Sequence, residues 1–198
     1  MDKKEKAIKK IEKAYIKIFE ALEDCYGLNW KNDSNFNDTP NRIGRSLINE
    51  RLCGINSYDE CSKILTNTAF PTEYNGFVVI NPITANSLCP HHFENVSYTV
   101  SIAYIPNGKA IGLSKIPRVV KLFASQPLLQ EDFTKKITDL IEESIKPDSL
   151  GVIVKGQHNC MVARGVKQHN VFAITSAVRG KCLDDPQVKA EFLRLCGY

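Results

Sequence analysis

The chain has 198 residues, enough for one domain with a sizeable core or for one domain with a helical extension. It is 43% hydrophobic and 24% charged, and its formal net charge of +4 suits an anionic small molecule as well as a nucleic acid. No apolar run approaches the roughly 18–20 residues of a membrane span, no arginine-rich tract with aromatics supports nucleic-acid binding, and residues 1–6 are too polar for a secretion signal. These features predict a cytoplasmic protein without a membrane or nucleic-acid partner.

The first third of the chain is predicted to be helical. Apolar residues recur in steps of three and four from residue 8 to residue 22, which indicates one helix over about 4–22. A loop follows at 32–38. Thr39 is the predicted N-cap of a second helix, with Pro40 at its first helical position and its end near Gly54.

The pattern changes after about residue 70. Strands are predicted at 77–80, 98–105 and 110–113, and the turn at 106–108 makes the last two a predicted hairpin. Helices are expected at about 115–124 and 131–145, strands at 151–155 and 171–176, and a final helix capped by 184–186. The predicted fold is α+β: a helical N-terminal extension over 1–70, then a domain over 71–198 with an antiparallel sheet and helices on one face.

Two short stretches concentrate three of the four histidines beside cysteines: Cys89-Pro90-His91-His92 and His158-Asn159-Cys160. Seven cysteines in a chain without a secretion signal argue against a disulfide framework and for thiols or metal ligands. Cys89, one histidine of the pair and Cys160 would give zinc three protein ligands and an open fourth position, which is typical of a catalytic site. The remaining histidines suit proton transfer. The alternative is that all three are hydrogen-bonded residues at strand ends.

Basic residues form a second candidate constellation. Ser114, Lys115 and Arg118 begin a predicted helix, where the free N–H groups add to the attraction for phosphate. Arg164 follows Cys160 by four positions and Arg45 lies on the second predicted helix. A third feature, Gln130-Glu131, offers an amide and a carboxylate that can read the edge of a guanine, although Glu131 alone is an ordinary residue for a first helical turn.

Taken in order, several motifs resemble the GTP cyclohydrolase I family across roughly residues 37–195. They are Asn37-Asp38-Thr39-Pro40-Asn41-Arg42-Ile43, Cys89-x-His91-His92, the segment 103–109, Ile111-Gly112-Leu113-Ser114-Lys115 with Arg118, Leu129-Gln130-Glu131 with Thr134, His158-x-Cys160, Ala163-Arg164-Gly165, Asp185-Pro186 and Glu191-Phe192-Leu193. The chain departs from the family at Pro90, where glutamate is common, near Gln126, where arginine is usual, and at 171–174, where the family strand is rich in threonine.

The resemblance implies a role for each candidate residue. Cys89, His92 and Cys160 are implied zinc (Zn2+) ligands, and His91 and His158 implied proton carriers. Gln130 and Glu131 correspond to the guanine-recognition pair. The implied triphosphate contacts are Ser114, Lys115, Arg118, Arg164 and Arg45.

The implied reaction is the conversion of GTP to 7,8-dihydroneopterin triphosphate and formate, begun by zinc-bound water adding to guanine C8. The family's fold is the tunnelling fold, assembled as a homodecamer with sites between subunits. A pterin synthase of the same fold would place zinc on three histidines, and a nitrile reductase would use a nucleophilic cysteine without a His-x-Cys partner. A catalytically silent zinc-stabilised module would need a fourth protein ligand, or loss of His91, His158 or Glu131.

Overall fold

The computed structural model describes residues 2–198, which fall into two compact units, Met1–Cys53 and Gly54–Tyr198. The first unit is helical. Helix α1 (Lys3–Tyr26) ends at Gly27, whose φ of 72° is the left-handed conformation that glycine adopts without strain. Helix α2 (Thr39–Ser46) packs on α1 and continues into a π-helical turn, Leu47–Arg51.

Helix α2 begins one residue earlier than the sequence suggested. Thr39 is its first residue and Asp38 occupies the cap position with a φ of 60°, so the prediction of Thr39 as N-cap is wrong. Aspartate tolerates this left-handed conformation better than most residues, which lets the chain turn sharply into the helix. Pro40 still lies in the first turn, as expected.

The second unit contains the strands and six further helices among the residues described. In chain order its elements are α3 (Tyr58–Thr66), β1 (Ala69–Pro71), β2 (Val78–Leu88), β3 (Asn95–Ile105), β4 (Lys109–Ile111), α4 (Lys115–Ala124), α5 (Gln130–Ile145), β5 (Ser149–His158), α6 (Asn159–Val162), β6 (Ala173–Gly180), α7 (Lys181–Asp184) and α8 (Pro186–Leu195).

Four long strands form an antiparallel sheet in the order β2-β3-β5-β6, and β1 pairs with β4 in a separate two-stranded sheet. The predicted β3–β4 hairpin is therefore wrong. Near its end β3 is paired on both sides, because Tyr104 lies opposite Val78 of β2 and Leu150 of β5. With both edges of β3 occupied, β4 has no free edge of β3 to join and pairs with β1 instead.

The sheet register brings two distant parts of the chain to the same end of the sheet. Leu88, the last residue of β2, pairs with Asn95 at the start of β3, and the next residue, Val96, pairs with His158 at the end of β5. The turn between β2 and β3 therefore lies beside the segment that follows β5. These are the two stretches that carry the histidine and cysteine clusters.

Helices α4 and α5 pack on one face of the sheet and enclose most of the core. The alternation of side chains along the strands places Ile102 and Val152 in this core, and Ala103 and Ile153 on the opposite face. There Phe192 of α8 covers a smaller cluster and lies against Gly151, where a Cβ would come within 2.5 Å of its ring. The α+β class, the antiparallel sheet and the helical N-terminal segment are confirmed, while α8 adds a helix on the second face.

Candidate active site

The turn between β2 and β3 holds Cys89 in a closed loop. The Cys89 N–H donates to the carbonyl of Glu94 at 2.9 Å, and the Phe93 N–H donates back to the Cys89 carbonyl at 2.8 Å. Phe93 takes a positive φ of 58°, which tightens the turn. Cys89 is buried at the base of the turn, whereas His91 and His92 are exposed at its tip.

Cys160 enters the same place from the short helix α6, two residues after β5 ends. Its Sγ lies 4.0 Å from the Sγ of Cys89, and the Nδ1 of His92 lies 4.0 Å from the Cys89 Sγ. The ligand atoms of Cys89, His92 and Cys160 all lie within 4.8 Å of one another. No other group of three or more such side chains is found among the residues described.

These separations fit a tetrahedral metal ion. Two thiolates bound tetrahedrally at zinc–sulfur distances of about 2.3 Å would have their sulfurs about 3.8 Å apart, close to the 4.0 Å between Cys89 and Cys160. Burial raises the pKa of the Cys160 thiol and the neighbouring Cys89 raises it further, whereas Arg164 lowers it. A bound cation would favour the thiolates and displace their protons. The three residues could therefore hold a metal ion, with a fourth position open.

His91 is adjacent to this group without belonging to it. Its Nδ1 lies 3.9 Å from the Cys89 Sγ, and its ring centroid lies 6.2 Å from that of His92. Only His92 forms with both cysteines a group within 4.8 Å. The geometry thus separates two neighbouring histidines that the sequence alone left interchangeable.

His158, the last residue of β5, is half-buried and hydrogen-bonded to Gln130. Its Nε2 lies 2.9 Å from the Oε1 of Gln130, the first residue of α5. Burial lowers the pKa of His158, and the nearby Glu131 carboxylate acts in the opposite direction. The Gln130 side chain is itself buried and points to His158, while Glu131, the next residue, is exposed.

Tyr98 is a buried neighbour that the sequence reasoning missed. Its ring stacks on Phe133 with centroids 4.8 Å apart and meets the His158 ring edge-on at 6.3 Å. Its hydroxyl has no hydrogen-bond partner among the described residues. Burial raises the pKa of Tyr98, and the nearby Cys89 and Glu131 raise it further. The alternation of apolar residues along β3 could have placed Tyr98 on the inner face of the sheet.

The candidate phosphate-binding residues are spread over the structure. Lys115 and Arg118, with Ser114 at the cap position of α4, belong to the first turn of that helix. A cavity of about 450 Å³ adjoins them, and it is lined by Glu60, Lys63, Ile64, Asn67, Thr68, Lys115 and Arg118. Arg164 is exposed in the segment after α6, near enough to Cys160 to affect its pKa. Arg45 is exposed on α2, in the first unit.

Comparisons with known proteins identify the family. The GTP cyclohydrolase I family matches residues 11–197. The GTP cyclohydrolase 1 of Actinobacillus pleuropneumoniae serotype 5b is 38% identical over 172 residues, which are 87% of this chain and 78% of that protein. The chain belongs to the GTP cyclohydrolase I family. The resemblance drawn from the motifs is thereby confirmed.

Other relatives in the GTP cyclohydrolase I family are similarly distant. The GTP cyclohydrolase 1 of Clostridium perfringens strain 13 is 38% identical over 160 residues, covering 80% of this chain and 83% of that protein. The GTP cyclohydrolase 1 of Chlorobaculum tepidum is 36% identical over 159 residues, or 80% of this chain and 70% of that protein. A crystal structure of the archaeosine synthase QueF-Like in the apo form shares 20% identity, with a TM-score of 0.45, over 52% of this chain and 93% of that one.

As a member of the GTP cyclohydrolase I family the chain is an enzyme, and its fold is α+β with an antiparallel main sheet. Its Cys89, His92 and Cys160 form the group that could hold a metal ion. Among the helices of residues 2–198, none combines the length and the apolar character that crossing a membrane requires.

Proposed function

We propose that this protein hydrolyses GTP at guanine C8 and rearranges the product to 7,8-dihydroneopterin triphosphate, with release of formate. Membership of the GTP cyclohydrolase I family supports the overall conversion. The observation that carries the chemical detail is the convergence of Cys89, His92 and Cys160 within 4.8 Å, with His91 and His158 beside them. We place the catalytic domain in residues 71–198, which include all five of these side chains.

Zinc is the metal that the donor set favours. Two thiolates and one imidazole are among its preferred ligands, and three protein ligands are typical of its catalytic rather than its structural sites. Held there, the ion would supply a water molecule acidified toward a pKa of about 7 for the attack on C8. The two cysteines and His92 bind the ion, so neither of the other two histidines is needed as a ligand.

His91 and His158 are the proposed proton carriers. Each lies close to the metal group without completing it: His91 is next to Cys89, and His158 precedes Cys160 by two residues. Burial lowers the pKa of His158, which keeps its imidazole neutral near pH 7 and able to accept a proton. Ring opening and the later rearrangement of the ribose both require such transfers.

Recognition of GTP is assigned to residues around these groups. Glu131 is exposed beside His158 and its carboxylate can accept hydrogen bonds from the N–H and NH2 groups of guanine. The family resemblance pairs Gln130 with Glu131, but the Gln130 side chain is buried and hydrogen-bonded to His158, so Glu131 is the proposed side-chain contact of the base. Ser114, Lys115, Arg118, Arg164 and Arg45 are the proposed contacts of the triphosphate.

We further propose that the protein works as a homo-oligomer, the homodecamer implied by the family resemblance. Lys115 and Arg118 line a cavity whose lining, among the residues described, includes none of the metal ligands. In an oligomer a basic cavity on one chain can complete the site on its neighbour. This arrangement explains why the proposed phosphate contacts are spread over one chain.

The reaction is tested directly with purified protein, zinc and GTP. We expect one formate per GTP consumed and a product that becomes fluorescent, as a neopterin does, after oxidation. The variant His158→Ala should retain zinc and lose turnover by about 100-fold or more, because it removes a proton carrier and no ligand. Protein with bound zinc that released no formate from GTP would overturn the proposed function, and loss of zinc from His158→Ala would overturn the division of roles.

A further inference from the structure

The buried amide of Gln130 can adopt only one orientation. Its Nε2 lies 3.1 Å from the carbonyl oxygen of Val154 and 3.0 Å from that of Ala173. A carbonyl oxygen can only accept a hydrogen bond, so the NH2 group must face these two strands. A flipped amide would put its oxygen against two carbonyl oxygens in a buried place and would lose both of these hydrogen bonds.

This orientation dictates which nitrogen of His158 carries a proton. The Gln130 Oε1 that remains faces the Nε2 of His158 at 2.9 Å, and an amide oxygen can only accept. The Nε2 must therefore be the donor. In a neutral imidazole only one nitrogen is protonated, so the Nδ1 of His158 is left with a lone pair.

The surroundings of Gln130 are shaped to keep it in place. A Cβ on Gly156 would lie 2.3 Å from the Gln130 Oε1, so the absence of a side chain on β5 makes room for that oxygen. The Thr175 hydroxyl lies 3.2 Å from the Gln130 Nε2 and shares a hydrogen bond of 2.6 Å with Thr134. The Thr134 hydroxyl in turn donates to the Gln130 backbone carbonyl at 2.8 Å. Both ends of the residue are thereby held.

We propose that Gln130 is a positioning residue that fixes His158 in its Nε2–H form, so that His158 exchanges protons only through Nδ1. This inference rests on the proposed function for its catalytic meaning. Gln130 then acts through His158, and Glu131 alone has a free side chain for the guanine. In this pair, Gln130 orients the catalytic histidine and Glu131 binds the base.

In the proposed transfer, His158 takes up and releases the proton at one atom, Nδ1. An O–H group of water or of the substrate gives its proton to the Nδ1 lone pair, which leaves the oxygen anionic and the imidazole cationic. The Nε2–H bond to Gln130 is unchanged in this step, because Nε2 is protonated in both states. The proton later leaves from Nδ1 to a basic atom of the substrate, which restores the neutral Nε2–H ring.

The tautomer can be measured without any turnover. Zinc-loaded protein with 15N-labelled histidine has only four such rings, and His158→Ala identifies the signals of His158. At a pH where the ring is neutral, we expect the shift of a protonated nitrogen at Nε2 and of an unprotonated one at Nδ1. The reverse assignment in the wild-type protein would overturn the proposal. Since this readout needs no GTP, it stands even if no formate is released.

Gln130→Leu tests the consequence for catalysis. We expect a mixture of His158 tautomers and a fall in kcat of roughly 10- to 100-fold, as for other residues that orient a catalytic ligand or base, with KM and the directly measured Kd for GTP unchanged within about twofold. Gly156→Ala, which displaces the Gln130 oxygen, should shift the tautomers in the same direction.

The matched control is Gln126→Leu. It removes another buried glutamine, whose partners are Ser57 and Lys136, and should change neither the His158 tautomer nor kcat.

Two outcomes of these variants contradict the proposal. An unchanged His158 tautomer in both Gln130→Leu and Gly156→Ala would show that something else holds the ring. A large rise in the Kd for GTP with kcat unchanged would show that the Gln130 side chain binds the guanine instead.

Discussion

At the scale of single residues, the proposed metal site can be tested at Cys160. Its Sγ is one of only two sulfurs in the group, 4.0 Å from the other. Cys160→Ser replaces a thiolate by a hydroxyl that does not ionise near neutral pH, so one of three protein ligands is lost. We expect bound zinc to fall from about one ion per chain to less than a tenth after dialysis, with formate release lost in parallel.

Cys53→Ser is the matched control for this loss. Cys53 is exposed, and its thiol donates a hydrogen bond to the backbone carbonyl of Glu50 at 3.3 Å. Its replacement should leave both zinc content and activity unchanged, as measured by elemental analysis after dialysis. Equal zinc retention in both variants would remove Cys160 from the metal site.

The sequence predicted the residues of the candidate metal group but not the contacts around it. Cys89, Cys160 and one histidine of the pair at 91–92 could be recognised because few side chains bind zinc and because these occur in short clusters, whereas the choice of His92 came from the family resemblance. The direction of the Gln130 side chain and the contact between Tyr98 and His158 depend on strand register across β3 and β5, which brings Tyr98 opposite Gly156. Pairings between distant segments are not encoded in local spacing, so neither contact could be derived from the sequence.

At the scale of secondary structure elements, the periodicity of apolar residues predicted the helices better than it predicted the strands and their pairing. The helix predicted over 131–145 is α5, observed from Gln130 to Ile145. In contrast, β2 was predicted over four residues and extends over 11, because Asn81, Pro82 and Asn86 interrupt its apolar pattern. These three residues are exposed on an edge strand, where polar side chains and proline are tolerated.

The packing of the segment before α3 against α4 can be tested by substitution at Gly54. Gly54 donates its N–H to the Ser125 carbonyl at 3.0 Å, and a Cβ there would lie 1.7 Å from the carbonyl oxygen of Leu122. Backbone cannot move aside as a flexible side chain can. Gly54→Ala should therefore lower the free energy of unfolding by about 3 kcal/mol, measured by urea denaturation.

Gly112→Ala is the control for the change of residue type. A Cβ at Gly112 would lie 3.5 Å from the Lys115 Cγ, which is an ordinary van der Waals contact. This substitution should change the free energy of unfolding by less than about 1 kcal/mol. Equal effects of the two substitutions would mean that the contact of Gly54 with α4 does not limit stability.

At the scale of the whole molecule, the second unit leaves both edges of its main sheet open among the residues described. The sheet order places β2 at one edge and β6 at the other. Near β6 the exposed apolar side chains are Val171 at 42%, Phe172 at 44% and Ile174 at 56%. An open strand edge with apolar side chains favours pairing with another chain. Pairing of β6 in one copy with β2 of the next would be head-to-tail, and such contacts generate rings when the rotation closes.

This geometry supports the proposed homo-oligomer and gives it a test. Light scattering after size exclusion should find a mass several times that of one chain. Ile174→Lys should convert a large part of the protein to smaller species, because a buried interface would then enclose an unpaired ammonium group. Leu183→Lys makes the same change at a side chain that is 63% exposed on α7, the short helix that follows β6, and not on the strand edge itself, and should leave the assembly intact. A wild-type protein that behaves as a single chain at micromolar concentration would contradict the assembly, and with it the idea that the basic cavity of one chain completes the site of its neighbour.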